Sequence, residues 1–351
     1  MANSNEFVIG NEAVVRASIE AGAEMMCGYP ITPATEIMHY WAEAAQKDRN
    51  LIFHQAEDEM SAGFAMIGAV LSGKKAFTAT AGPGNVLMQD AFVMAEIMRI
   101  PTVAFIIQRG GPSTGTVIYS QQEVNLTCFG GNGEGLRIVY STSGGQDLYD
   151  YAQKAFNSAW RHQFPTFVLA DGYQGKMLSR IDLHGAGRKI AAYPTLLAEK
   201  RLPYHYINLI NTFNMEEDLA ERLNELKTAY DASRHEIIEY EEHLVDNANI
   251  LILAHGIVAA AARSAVDILR DKGIRVGLLR PITLRPFPKY VTRQACQDAK
   301  QILICESSMG QFSAIVKENI YGIETPITEF LKPAEGFTPD EIVQKVMKLL
   351  V

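Results

Sequence analysis

Four short clusters hold the side chains that chemistry would need. The first is the turn Gly28-Tyr29-Pro30-Ile31-Thr32-Pro33, and the second is the acidic group Glu57-Asp58-Glu59. The third is Thr80-Ala81-Gly82-Pro83-Gly84, and the fourth is Arg109-Gly110-Gly111-Pro112-Ser113-Thr114-Gly115. If residues 57–71 form a helix, positions 59, 62, 63, 66 and 70 share one face and read Glu, Ala, Gly, Met, Val. A carboxylate that points with core residues must find a partner or hold its proton more firmly than in water, which suits acid–base work. The plainer alternative is a helix-start carboxylate satisfied by backbone amides. Glu57 and Asp58 need no more than the ordinary role of negative charge at a helix N-terminus. A guanidinium such as that of Arg109 can bind carboxylate oxygens bidentately, and a hydroxyl such as that of Thr32 can donate to one. Each also has a structural use. Arg109 could solvate a loop, and Thr32-Pro33 is placed to cap a helix over 34–45, as Thr338-Pro339-Asp340-Glu341 is near the C-terminus. Gly82 and Gly84 would let backbone approach a ligand, or simply make a tight turn. Residues 110–116 nearly match a nucleotide-binding loop, but Thr116 stands where a lysine is required.

Elements must position these clusters. A short apolar strand over 24–27 leads into the first, and strands over 51–54, 75–80 and 101–108 precede the others. Helical patterns at 11–23, 34–45, 88–98 and 146–162 alternate with these strands and with further strands at 136–140 and 166–170. Such alternation implies an α/β fold with a mostly parallel sheet covered on both faces, and ligands in such sheets gather at the carboxyl ends of strands. Residues 173–246 are richer in charge and show no strand pattern at first. They end in a long helical stretch over 216–244, which reads as a connector with an exposed helix or as a docking surface for a partner. A second α/β unit follows, with strands at 249–254, 275–279 and 301–305, a helix at 257–272 and a capped helix at 339–350. The expected division is therefore 1–172, 173–246 and 247–351. His255-Gly256 follows a strand directly, where a turn histidine is expected.

The 351 residues, 48% of them hydrophobic, suffice for a large core and about two domains. With 32 basic against 40 acidic residues, the net charge of -8 argues against a nucleic-acid surface. The start, Met1-Ala2-Asn3-Ser4-Asn5-Glu6, shows no secretory signal, and no apolar run is long enough to span a membrane. Cys27, Cys128, Cys296 and Cys305 are scattered and form no local ligand motif for zinc or an iron–sulfur cluster. A reducing cytoplasm is the expected compartment.

In order and spacing, the four clusters resemble those of the alpha-type subunit of the 2-oxoacid:ferredoxin oxidoreductases, and the likeness extends over most of the chain. The resemblance implies a pyrimidine-type domain that binds thiamine diphosphate, then a smaller domain similar to the C-terminal domain of transketolases. It also implies CoA-dependent oxidative decarboxylation of a 2-oxoacid to acyl-CoA and CO2, with electrons passed to ferredoxin. In that family a glutamate hydrogen-bonds the aminopyrimidine ring of thiamine diphosphate and favours its imino tautomer; Glu59 matches it in motif position. Thr32 and Arg109 match residues beside the substrate carboxylate. Tyr29, Pro30, Gly82 and Gly84 fall where backbone and side chains line the cofactor.

Thiamine enzymes hold the diphosphate through Mg2+ on a Gly-Asp-Gly motif with a downstream Asn. Ala170-Asp171-Gly172 is the nearest approach here. The chain thus resembles a half-site that holds the aminopyrimidine while a beta-type subunit binds the diphosphate and Mg2+. Iron–sulfur clusters would belong to partner chains, gamma-type and ferredoxin-like subunits among them. Ala81 stands where many relatives have Ser, and Asn132 where many have His. Tyr119-Ser120-Gln121-Gln122 lacks the Lys often found in relatives that use 2-oxoglutarate. The expected substrate is an uncharged branched-chain or aromatic 2-oxoacid. A non-catalytic scaffold and half of a non-oxidative thiamine-dependent decarboxylase are the competing functions.

Overall fold

A computed structural model describes residues 4–183 and 209–350. Two mostly parallel sheets carry the fold. The larger has seven strands in the order Thr283–Arg285, Ile138–Ser141, Thr166–Asp171, Val103–Gln108, Ala76–Thr80, Met25–Gly28 and Ile52–Gln55. All pairings are parallel except that of Thr283–Arg285, which runs antiparallel on the edge. The central strands Val103–Gln108 and Thr166–Asp171 are buried at every position, as continuous apolar runs between two helical layers require. Trp41, Phe105 and Phe156 surround Phe77 edge-on at 4.9, 5.7 and 5.9 Å between ring centroids, and this cluster anchors the core.

The second sheet orders Ile327–Leu331, Gln301–Glu306, Ile250–Ala254, Val276–Pro281 and Tyr240–His243, the last antiparallel. The helix Gly256–Asp271 packs on it with an Ala-rich buried face, beside the terminal helix Pro339–Leu349. That terminal helix has the expected capping box: Thr338 accepts from the Glu341 N–H and the Glu341 side chain reaches back to Thr338.

The chain departs from expectation between 173 and 246. The strand Leu178–Leu183 pairs antiparallel with Ser4–Ile9, where no strand is expected. Part of the expected connector, 184–208, lies outside the described residues. The helix expected over 216–244 spans Glu216–Ile237, and Tyr240–His243 is a strand. The physical cause lies at Glu239, whose carbonyl takes the N–H groups of Ile282 and Thr283, each at 3.0 Å, while its own N–H donates to Thr283 Oγ1. Those bonds pull the backbone out of the helix and onto a sheet edge, against the local propensity of a charge-rich segment.

Candidate active site

In the larger sheet the chain runs outward from Met25–Gly28 to Ile52–Gln55, then returns to place Ala76–Thr80 on the other side of Met25–Gly28. This reversal is a topological switch point, the crevice where doubly wound sheets bind ligands. Tyr29 to Pro33 leave from the carboxyl end of one bordering strand and residues 81–84 from the other. Glu59 opens the helix that follows Ile52–Gln55, and Arg109 follows Val103–Gln108.

The side chains converge. A Cβ on Gly84 would lie 2.1 Å from Thr80 Oγ1 and 2.7 Å from Glu59 Oε1, so only hydrogen at that position lets the carboxylate sit against the turn. Gly82, at φ +49°, would place a Cβ 2.8 Å from Arg109 Nε. Arg109 Nη1 donates to the Thr32 carbonyl at 3.0 Å, which closes the ring of residues. Thr32, Glu59, Gly82, Gly84 and Arg109 are thus gathered, and Thr80 belongs with them. Tyr29 is half-buried and Pro30 exposed at the mouth of the same turn.

The expected N-cap role of Thr32 is corrected. The helix is Thr35–Lys47, with Ala34 in the cap position and no capping side chain. Bonds across the fold hold the turn instead. Asn11 Nδ2 donates to the Pro33 carbonyl at 2.9 Å and Arg109 to that of Thr32, so the backbone at 32–33 faces other elements rather than the helix axis. The Thr32–Pro33 peptide bond is cis.

Glu59 heads the helix Glu59–Leu71, and positions 59, 62, 63, 66 and 70 are all buried, as the periodicity predicts. Asp58 is the cap, accepting from the Ser61 N–H at 2.7 Å. Glu59 is 6% exposed, and no other side chain among the described residues hydrogen-bonds to it. Burial raises its pKa, its own backbone N–H and the Arg109 charge oppose the rise, and Asp58 adds to it. Thr80 Oγ1 and Arg109 Nε are buried without a hydrogen-bond partner among the described residues. Such orphaned atoms beside an unshared carboxylate fit a polar ligand in the crevice better than a closed core. They suit an aminopyrimidine against Glu59 and a small carboxylate against Arg109.

Asp171 is spoken for. Its oxygens accept the N–H groups of Tyr173 and Gln174 at 2.9 and 3.1 Å and the Gln174 amide at 2.8 Å, and burial raises its pKa to about 6. Thr116, at the lysine position of a nucleotide loop, accepts from the Gly110 N–H and donates to the Tyr119 carbonyl, which closes the loop on itself. His255, expected as a turn histidine, is wholly buried, with Nδ1 2.9 Å from Ser141 Oγ. Sequence reasoning passed over Thr80, Asn85 and Glu123. Thr80 lies inside a quoted motif, but Glu123 stands before an apolar run with no spacing to mark it.

The crevice thus sets a buried glutamate at a helix start against a glycine turn, at the switch point of a parallel sheet. Comparisons with known proteins are specific. Residues 16–249 match the family model "Pyruvate flavodoxin/ferredoxin oxidoreductase, thiamine diP-bdg", and 248–341 match "Pyruvate:ferredoxin oxidoreductase core domain II". The ketoisovalerate oxidoreductase subunit VorB of Methanothermobacter marburgensis is 32% identical, covering 90% of this chain and 89% of that protein. The 2-oxoglutarate synthase subunit KorA of Archaeoglobus fulgidus is 34% identical over 89% of this chain and 90% of its own. Among solved structures, 2-oxoglutarate:ferredoxin oxidoreductase from Magnetococcus marinus superposes with TM-score 0.88 at 26% identity, covering 99% of this chain and 66% of that one. A split-gene transketolase, at TM-score 0.60 and 14% identity, shares the fold. The chain belongs to the 2-oxoacid:ferredoxin oxidoreductases, as an alpha-type subunit.

Proposed function

We propose that this subunit forms the pyrimidine side of a thiamine diphosphate site and the carboxylate pocket for a 2-oxoacid, which the assembled enzyme decarboxylates oxidatively to acyl-CoA. When bound, thiamine diphosphate supplies the carbanion and electron sink of the reaction. The observation that carries the reading is the contact of the Glu59 carboxylate with the Gly84 turn, beside a guanidinium that donates to the Thr32 backbone carbonyl and, among the described residues, to no other group. Burial raises the pKa of Glu59, so it takes up a proton more readily than in water and can exchange one with a ring nitrogen, while Arg109 and Thr32 orient the carboxylate of the 2-oxoacid. Gly82 and Gly84 let Arg109 and Glu59 pack against the turn that would face the ring, and Tyr29 and Pro30 border the crevice.

The exposed apolar side chains beside the site support its completion by a second polypeptide. Met60, next to Glu59, is 42% exposed, and Val86 and Leu87, just beyond Gly84, are 58% and 43% exposed. A beta-type subunit that contributes the diphosphate site and Mg2+ would cover them. With the four cysteines buried and free, iron–sulfur clusters and the route to ferredoxin fall to partner chains, and coenzyme A receives the acyl group. The segment Tyr119-Ser120-Gln121-Gln122 brings no cation, and Gln122 Oε1 is already bonded to the Gly111 N–H at 2.9 Å, which favours an uncharged 2-oxoacid. Glu59→Gln in the assembled complex is the test. Loss of 2-oxoacid-dependent ferredoxin reduction by about 100-fold or more is expected if the proton is used in the reaction. Full activity would restore the scaffold reading.

A further inference from the structure

Glu123 is a buried carboxylate to which the reading above gives no task. It is 5% exposed and sits immediately before the short helix Val124–Phe129. One of its oxygens, Oε1, accepts the backbone N–H of Gly82 at 2.8 Å and that of Arg109 at 3.1 Å. The other accepts the side-chain amide of Asn85 at 3.0 Å. A single oxygen thus joins the turn pressed on Glu59 to the residue whose guanidinium faces the crevice.

The network continues inward. Asn85 Nδ2 also donates to Thr127 Oγ1 at 3.1 Å, and its carbonyl and Oδ1 both accept from Gln89 Nε2 at 2.9 Å. Gln89 Oε1 in turn accepts from Arg137 Nη1 at 2.9 Å. Arg137 is wholly buried, and further bonds to the Thr127 and Gly130 carbonyls hold it. Every group that reaches Glu123 is a donor, so the ionised form is the one that satisfies them all. An amide at this position could accept from the two backbone N–H groups, but its NH2 would face that of Asn85. Burying a carboxylate here is costly, and satisfying three donors at once is what it achieves.

We propose that Glu123 is a positioning residue that fixes the Arg109 guanidinium and the 82–84 turn relative to one another, touching neither substrate nor cofactor. This rests on the roles proposed above for Arg109 and Gly82. It predicts a reciprocal rescue. In Glu123→Gln, the new NH2 opposes that of Asn85, and in Asn85→Asp, two carboxylates meet. In the double variant, the carbonyl oxygen of the introduced glutamine keeps both backbone N–H groups. Its NH2 donates to the introduced aspartate, whose second oxygen accepts from Gln89.

The test uses the assembled complex, with KM and kcat measured on 2-oxoisovalerate and 2-oxoglutarate and the dissociation constant of thiamine diphosphate with Mg2+ measured by calorimetry. Each single variant should raise both the KM and the dissociation constant by about tenfold or more, since the clash between side chains 123 and 85 pushes residue 123 off the Gly82 and Arg109 N–H groups. The double variant should return both to within about threefold of the wild type, a coupling that only neighbouring groups show. Arg109→Lys, run in parallel, should raise KM alone. If Glu123→Gln leaves KM unmoved while Arg109→Lys raises it, the positioning role is wrong and the role of Arg109 stands. If Arg109→Lys leaves KM unmoved, the substrate reading fails and this inference falls with it. Should neither single variant assemble, the double variant decides: near-wild-type constants support the proposal, and failure to assemble or constants raised like those of a single variant overturn it.

Discussion

At Gly84 the site depends on a missing side chain. The glycine has no Cβ because the space belongs to Thr80 Oγ1 and the Glu59 side chain, whose Cγ would lie 2.6 Å away. Neither neighbour can yield easily. Thr80 is the last residue of a strand buried at every position, and Glu59 is fixed at the start of a helix whose cap, Asp58, is bonded in place. Gly84→Ala should therefore move the carboxylate rather than the sheet. If Glu59 exchanges a proton with the cofactor as proposed, a displacement of about 1 Å costs about 100-fold in rate. Steady-state turnover of the assembled enzyme with an artificial one-electron acceptor would register it, and the melting temperature should fall by far less in proportion. Turnover equal to wild type would mean that Glu59 tolerates the shift and that its contact with the turn has no catalytic use. Glu59 itself was legible in the sequence, because helical periodicity placed a carboxylate among core residues. Thr80 and Glu123 were not, because a buried hydroxyl in a strand and a glutamate before an apolar run reach the crevice only through contacts between residues distant in sequence.

At the scale of elements, the same dipeptide does two different things. Thr338-Pro339 caps a helix with a full capping box, whereas Thr32-Pro33 caps nothing and lends its carbonyls to Arg109 and Asn11. Thr338→Ala should thus cost about 1 kcal/mol of stability. Thr32→Ala should cost little stability, and its effect should appear in KM for the 2-oxoacid. Urea unfolding of both variants beside their kinetics separates the two, and equal stability losses would mean that Thr32 has a structural use that its hydrogen bonds do not reveal. Local signals cannot tell the cases apart, since both threonines precede Pro and a helical pattern. The strands of the larger sheet that border the site could be read from their apolar runs, as could the helices Thr35–Lys47, Glu59–Leu71 and Gln89–Met98, whereas the short helix Pro83–Leu87 could not. The edge strands Tyr240–His243 and Thr283–Arg285 could not, since short sequences of mixed polarity form strands only when a sheet edge offers them hydrogen bonds.

Across the whole molecule, the second sheet has a switch point of its own, between Ile250–Ala254 and Gln301–Glu306, and the first unit fills it. Gln121 Nε2 donates to the His255 carbonyl at 2.9 Å, its Oε1 accepts the Ser307 N–H at 2.9 Å, and its own N–H donates to the Ser307 carbonyl at 3.1 Å. Gln121 lies two residues before Glu123, so the crevice that could have held a ligand instead secures the segment leading to the site. His255 lines this contact. Its ring meets Ser141 Oγ on one side and Phe312 on another, and burial, with the Arg280 charge adding to it, lowers its pKa from 6.5 to about 3. The sign of the pH effect follows. The folded protein keeps His255 neutral while the unfolded chain takes up a proton below about pH 6.5, so the unfolded state binds more protons between about 3 and 6.5. The stability contribution is complete above pH 6.5 and is lost as the pH falls through that window, with a limiting slope of about 1.4 kcal/mol per pH unit. Urea unfolding measured from about pH 7 to about pH 4, a range that spans most of that window, on the wild type and on His255→Gln should show curves that converge as the pH drops, because the glutamine lacks the proton-linked loss. Parallel curves would mean that the imidazole is protonated in place, and that the contact between the two units at Gln121 and His255 is open to water.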